Sequence, residues 1–306
     1  MKILITGANG TIGTRLCEKL IDQGHSVVGI DRVDNNFKPK KEVSFVKKID
    51  LLNKDKLAKL EGDFDICVHL AANPYVRKSV ENPGIAFENC QTTFNVLEYC
   101  RNNNIKKVFL ASSREVYGNQ NKIKKVEGDV FLDGCESPYT ASKFYLEALG
   151  NSYNNCYDMK VVSVRFSNVY GMYDDSDRLI PTLIKKVIDG ETIEIYGRDK
   201  SLDFTYIDDA VSGLIGLFEI EDLISPINIS SGKQTSLLNV AEFICSIMVK
   251  NDTKIIVTNA FKGEVLQYCA DITKLKSYTN HETKFDIIRG LSRTIDFYED
   301  YFKVKK

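Results

Sequence analysis

The sequence predicts an α/β fold: a doubly wound parallel sheet covered by helices on both faces, with a smaller C-terminal α/β unit. Three observations predict it. Apolar strand-length runs alternate with helix-length amphipathic segments through the first half of the 306 residues, a glycine turn joins the first such pair, and the second half is shorter in its elements and less regular. Such alternation places parallel strands side by side through right-handed crossovers and leaves ligands to bind beyond the carboxyl ends of the strands.

Taken in order, Ile3-Leu4-Ile5 marks a strand at 2–6, and the turn after it opens a helix at 12–23. Val27-Val28-Gly29-Ile30 marks a strand at 26–30, followed by a strand at 43–48 and a helix at 53–60. Ile66-Cys67-Val68 carries a strand at 65–70, and a long helix is expected over 81–103. Val108-Phe109-Leu110-Ala111 gives a strand at 107–111, and Pro138, suited to a first helical turn, opens a helix at 138–157 before the strand at 160–166. Beyond it, helices are expected near 178–189, 207–219, 236–249 and 286–301, and strands near 193–196, 204–206, 227–229 and 254–258.

Composition narrows the function. Hydrophobic content of 43% and charged content of 27% are those of a globular protein, and a net charge of −1 gives no reason to invoke nucleic acid or a membrane surface. Paired lysines, such as those at 40–41 and 305–306, are scattered. No apolar stretch reaches membrane-spanning length, and Met1 leading straight into a strand leaves no room for a signal peptide, so a cytoplasmic location is expected. Eight cysteines without a CxxC pair read as small core residues in a reducing compartment, and with only three histidines beside them no metal site is expected.

The glycine turn carries the first functional signal. In Thr6-Gly7-Ala8-Asn9-Gly10-Thr11-Ile12-Gly13, Gly7 suits a tight turn, Gly10 brings bare backbone toward phosphates, and Gly13 lets the helix pack on the sheet. A strand, this turn and a helix present amide groups and a helix N-terminus to a pyrophosphate. Asp31 ends the next strand, where a carboxylate accepts bonds from both adenosine hydroxyls and repels a 2′-phosphate, which favours NAD over NADP. Arg32 beside it is suited to a 2′-phosphate, and a turn cap is the plain alternative for Asp31.

The second signal is Tyr139-Thr140-Ala141-Ser142-Lys143, whose Tyr139 and Lys143 share a helix face four residues apart. An ammonium there favours a phenolate, although an amphipathic pair with lysine in solvent has the same spacing. The third is Ser112-Ser113 at the carboxyl end of a predicted strand, where hydroxyls point toward the ligand crevice or cap the next turn.

Together these residues resemble the extended short-chain dehydrogenase/reductase family, with its Rossmann-type domain, and within it the NAD-dependent nucleotide-sugar epimerases of the UDP-glucose 4-epimerase kind. The resemblance also covers Asp50-Leu51, His69-Leu70-Ala71-Ala72, Val116-Tyr117-Gly118, Arg165 to Gly171 and Asp203 to Asp209. It implies NAD as a tightly held cofactor, contacted by Gly7, Asn9, Gly10, Thr11, Ile12, Gly13, Asp31, Arg32, Asp50, Leu51, Leu70, Ala71, Ala72, Asn89, Ala111, Tyr139 and Lys143. It implies Ser113, Tyr139 and Lys143 as the catalytic residues, and Arg77, Ser112, Ser113, Glu115, Asn168, Arg178 and Arg198 around a nucleotide-sugar substrate. On this reading residues 1–167 hold the cofactor and the catalytic groups, 168–306 mainly bind substrate, and some late segments return to the first unit.

The implied reaction is 4-epimerisation through a transient 4-keto sugar, with Tyr139 taking the 4-hydroxyl proton while hydride passes to NAD. UDP-glucose/UDP-galactose and their uronic or N-acetyl forms are the expected substrates. Alternatives are a UDP-glucuronate decarboxylase, an NAD(P)-dependent nucleotide-sugar reductase, and a non-enzymatic NAD-binding redox sensor. A homodimer is implied, through helices 84–103 and 138–157. Two positions depart from the family pattern: Leu202 stands where an arginine clamps the diphosphate, and Lys262 replaces a second arginine. Arg178, Arg198 or Lys200 are placed to compensate. Arg114-Glu115 replaces the Asp-Glu pair of sugar dehydratases, which removes the acid that dehydration needs.

Overall fold

A computed structural model describes residues 1–37, 46–261 and 263–305, with side chains described to residue 302. The chain runs β1 (Lys2–Thr6), α1 (Thr11–Asp22), β2 (Ser26–Asp31), β3 (Val46–Lys48), α2 (Lys54–Ala58), β4 (Ile66–His69), α3 (Val76–Glu81), α4 (Gly84–Asn102) and β5 (Lys107–Ser113). A 3-10 turn over Arg114–Tyr117 leads to β6 (Lys124–Lys125), α5 (Pro138–Cys156), β7 (Lys160–Phe166), β8 (Asn168–Tyr170), α6 (Leu179–Asp189), β9 (Ile193–Tyr196) and β10 (Ser201–Tyr206). Then follow α7 (Ile207–Ile215), β11 (Ile227–Ile229), β12 (Gln234–Ser236), α8 (Leu237–Ile247), β13 (Ile255–Thr258), β14 (Cys269–Ala270), α9 (Thr273–Thr279) and α10 (Ile287–Lys305).

Seven strands form one sheet in the order β11-β7-β5-β4-β1-β2-β3, every neighbouring pair parallel. Its central strands are covered on both faces, so Ile3, Leu4, Ile5, Val108, Phe109 and Leu110 are fully buried and read as unbroken apolar runs. Chain connections leave β1 toward β2 on one side and reach β4 on the other, which opens a crevice at the carboxyl ends of β1 and β4. The late strand β11 returns to this sheet beside β7, pairing Ile227 with Val164. A smaller sheet, β12-β10-β8, brings Asn168, Leu202 and Phe204 to the crevice wall, and β9 pairs with β13, β6 with β14. Arg15 of α1 binds Asp208 of α7 through two bonds of 2.6 and 3.1 Å, tying early and late segments together.

Differences from the sequence-based expectation have local causes. The helix expected over 81–103 starts at Gly84, because Pro83 lacks an N–H and holds Asn82 extended at φ −137°, ψ 92°, and the short helix α3 before it was not expected. β5 continues through Ser112 and Ser113, β10 starts at Ser201, and α7 stops at Ile215 rather than 219. The strand expected at 43–48 is seen from Val46; its first three residues, Lys40-Lys41, Lys262 and Lys306 lie outside the described residues.

Candidate active site

Gly7 leaves β1 with φ +70°, and a Cβ on it would lie 2.7 Å from the Ala71 amide nitrogen. Gly13 is needed more strictly, since its Cβ would sit 2.1 Å from the Gly7 carbonyl oxygen and push α1 off the turn. Gly10 is the N-cap of α1 and offers no side chain to its first-turn amides, so that helix end stays open to an anion. At the end of β2, Asp31 accepts the Asn9 amide at 3.0 Å and the Val33 amide at 3.1 Å. Arg32 turns toward Glu88, 3.8 Å away.

These residues line a cavity of about 660 Å³, within the size range of ligand sites. Asn9, Thr11, Ile12, Asp50, Leu51, Leu70, Ala71, Ala72, Asn89 and Ala111 line it too. The cradle fits a dinucleotide: glycine clearance and an uncapped helix end suit the pyrophosphate, and the Asp31 carboxylate stands one strand away for a ribose. Asn89 holds the 71–75 loop at the cavity wall, its amide bonded both ways to the Asn73 backbone at 2.8 and 3.1 Å. His69 is a buried structural group, bonded to Thr6 at 2.7 Å and Thr93 at 3.3 Å, and burial pulls its pKa down to about 3.

A second cavity of about 330 Å³ holds Ser113, Tyr139 and Lys143. Ile12, Leu70, Ala72, Ala111, Asp174 and Arg178 border both cavities, so the two are contiguous; Ser113, Tyr139 and Lys143 line the second and not the larger one, and Lys143 touches Ala111, which borders both. Ser137 caps α5 by accepting the Thr140 amide at 3.1 Å, and Ser79 of α3 accepts the Tyr139 amide at 3.1 Å, which fixes the turn that carries the tyrosine. Burial pushes the Tyr139 phenol up; the Ser113 side chain hydrogen-bonded to it and the Arg178 and Arg114 guanidiniums pull it back, while Glu115 adds to the rise. Lys143 donates to the Ala111 carbonyl at 2.8 Å, and burial lowers its ammonium to about 8 against the pull of Glu147. Alone, therefore, the buried pair holds a neutral phenol at neutral pH, and a further positive charge beside it would favour the phenolate.

Ser112 borders the second cavity, but its hydroxyl bonds Glu147 at 2.5 Å, and Glu147 is clamped by Arg165 at 2.7 and 2.8 Å. Glu115, Asn168 and Arg178 line the cavity as well. Arg77 and Arg198 line neither cavity. Arg77 is on exposed α3, bonded to Glu81 at 3.2 Å with its guanidinium 4.4 Å over the Phe261 ring. Arg198 is exposed on the turn after β9. Of the residues offered to replace the missing arginines, Arg178 and Lys200 reach the crevice, paired with Asp174 at 3.8 Å and Glu264 at 2.8 Å. Sequence reasoning gave no site role to Asp174 or Glu264, which close the site from loops far along the chain and leave no spacing signal, nor to Arg114, although it stands next to Ser113. Among the described residues no cluster of three acidic, histidine or cysteine side chains could hold a metal, and no helix is long and apolar enough to cross a membrane.

Comparison with known proteins agrees with this architecture. The model of the NAD dependent epimerase/dehydratase family matches residues 3–229. The chain is 33% identical to the uncharacterised UDP-glucose epimerase YtcB of Bacillus subtilis over 99% of both chains. It is 31% identical to the UDP-glucuronate 4-epimerase of Thermodesulfobacterium geofontis, over 99% of this chain and 98% of that one. The crystal structure of UDP-glucuronic acid 4-epimerase from Bacillus cereus, with UDP-glucuronic acid and NAD, superposes with a TM-score of 0.90 at 29% identity, covering 98% of this chain and all of the other.

Proposed function

Because the chain belongs to the NAD-dependent epimerase/dehydratase family, we propose that it is a nucleotide-sugar 4-epimerase acting on a UDP-hexose of the glucose/galactose type or a uronic or N-acetyl form. The observation that carries this reading is the meeting of Ser113, Tyr139 and Lys143 in a cavity contiguous with a larger, dinucleotide-sized one. Residues 1–167 supply the cofactor cradle and these three groups, and 168–306 supply most of the far wall.

NAD, when bound in the larger cavity, supplies a hydride acceptor and then donor. The chain's residues do the rest. As the phenolate that a further positive charge favours, Tyr139 would take the proton of the sugar 4-hydroxyl at its phenol oxygen and return it, with Ser113 hydrogen-bonded to that shared proton. Lys143 keeps positive charge beside the phenol and has donor capacity left for the cofactor ribose. Asn168 and Arg178 position the substrate, and the absence of a carboxylic acid at Arg114 disfavours loss of water. Proton transfer by such a positioned group contributes ~10²–10⁴-fold to rate.

Exposed Phe87 and Phe94 on α4 and Tyr145 on α5 support a homodimer built on these two helices. Eight free cysteines fit a cytoplasmic setting.

The test is to purify the protein, identify retained nucleotide by mass spectrometry, and incubate it with UDP-sugars without added cofactor. C4 inversion without net consumption of NAD is expected, and Tyr139→Phe should cut turnover by ~10³-fold while NAD content is kept. A strict stoichiometric need for NADPH, release of carbon dioxide, or undiminished turnover by the variant would overturn the assignment.

A further inference from the structure

The face of α5 that carries Tyr139 and Lys143 continues one turn further to Glu147, a carboxylate to which the reaction as derived gives no part. Three bonds hold it. The Ser112 hydroxyl donates to it at 2.5 Å from the end of β5, and Arg165 of β7 donates through Nε at 2.8 Å and Nη2 at 2.7 Å. Ser112 and Arg165 are register partners in the sheet, so this one carboxylate ties α5 to two neighbouring strands. Ser112 also follows Ala111, whose carbonyl accepts the Lys143 ammonium at 2.8 Å. The end of β5 therefore fixes the lysine through its backbone and the glutamate through its side chain.

Other charge around the lysine is sparse. Tyr139 stands one turn before it with the ring centre 5.4 Å from Nζ, His69 faces it from β4 and Cys90 from α4. Burial holds His69 neutral and keeps the Cys90 thiol protonated, so neither supplies a negative charge at neutral pH. Among the described residues, Glu147 is the carboxylate that supports the ammonium against desolvation. Arg165 meets Glu147 from the β7 side, with its Nη1 committed to the Tyr117 hydroxyl at 3.0 Å and the Glu127 carbonyl at 2.7 Å. The ion pair is thus a dipole whose negative end is the one Lys143 feels. Its members are buried, with side chains 12% and 3% exposed, where water screens such a field least.

Resting on the epimerase reading, we propose that Glu147 is a positioning residue for the proton transfer: it seats α5 on the end of β5 and keeps Lys143 an ammonium beside Tyr139. Without that carboxylate, desolvation acts on Lys143 almost unopposed. Its proton is then lost at lower pH, and the positive charge that favours the phenolate goes with it.

The experiment follows the Lys143 amine by NMR of isotope-labelled lysine in the NAD-free protein, with its signal assigned by its loss in Lys143→Arg. Glu147→Gln should lower the titration midpoint by at least half a pH unit, and Glu147→Asp, which keeps the charge, should hold it near the wild-type value. Glu147→Gln leaves Arg165 buried without its counter-ion; should that chain fail to fold, the double change Glu147→Gln and Arg165→Met removes both charges and should show the same fall. In the NAD-loaded protein, the basic limb of the kcat/KM profile should move down in pH with the midpoint. A lower thermal midpoint with an unmoved titration is what a merely structural ion pair gives, and it overturns the proposal. A titration that falls while the basic limb stays in place overturns the link to proton transfer. If the unchanged protein epimerises no sugar, the epimerase reading fails by itself, and the NMR titration still decides whether Glu147 holds the charge on Lys143.

Discussion

The most costly side chain in the site is Lys143, buried to 3% exposure with its ammonium lowered from 10.5 to about 8 by desolvation. Between those pH values the unfolded chain holds a proton that the folded chain has lost, so stability attributable to this residue rises with pH from about 8 to 10.5. Below 8 the fold carries the full burden of a buried charge, on the order of 3 kcal/mol. Lys143→Met should therefore raise the thermal midpoint of the NAD-free protein at pH 7 by at least ~3 °C, with the gain shrinking toward pH 10, while weakening NAD binding. Calorimetric scans at the two pH values check this; a lower midpoint at both would remove the buried-charge account. Tyr139, Lys143 and Ser113 stood out through the family motifs they belong to, since helix spacing and a strand end alone fit a solvated pair and a turn cap equally well. The direction of Arg77 was not legible, since an arginine in a variable pattern carries no mark of which way it faces, and Phe261, nearly two hundred residues on, is what holds it at the surface.

At the scale of elements, the turn from β1 into α1 depends on backbone contact that only glycine permits. A Cβ at Gly13 would meet three backbone atoms of Gly7 and Ala8 at 2.1–2.9 Å, and backbone cannot rotate aside as a side chain can. Gly13→Ala should cost about 1–3 kcal/mol of stability and abolish retention of NAD, checked by denaturant unfolding and by nucleotide content after purification. Gly10→Ala, whose Cβ would meet only the Gly7 carbonyl at 3.3 Å, should fold nearly as well and lose NAD affinity instead. The long strands and helices were readable because buried parallel strands are unbroken apolar runs and their covering helices are amphipathic. What escaped was short: β6 and β14 pair through two residues each, and β8 and β12 through three, lengths at which periodicity has no content. α3, six residues long, escaped for the same reason.

At the scale of the whole molecule, sequence order misleads where the chain doubles back. β11 lies more than sixty residues past β7 and still completes the first sheet, a pairing that no local pattern encodes. A parallel case is the outer face of α4 and α5. Phe87 is 71% exposed and Phe94 45%, seven residues apart and so on one face, with Tyr145 of the packed neighbour α5 at 39%. Large aromatic side chains are costly to leave in water, and in the proposed homodimer these form the contact. A second copy of the chain meeting this face by two-fold symmetry would bury Phe87, Phe94 and Tyr145 of each copy in a four-helix contact. The proposed homodimer then predicts that the double change Phe87→Glu and Phe94→Glu gives a monomer by light scattering at tens of micromolar protein, because four carboxylates would be forced together at the seam. The thermal midpoint of the unchanged protein should rise with concentration, as mass action requires of a dimer that dissociates on unfolding, and that of the variant should not. A wild-type chain that scatters as a monomer at the same concentration would rule this face out as the dimer contact.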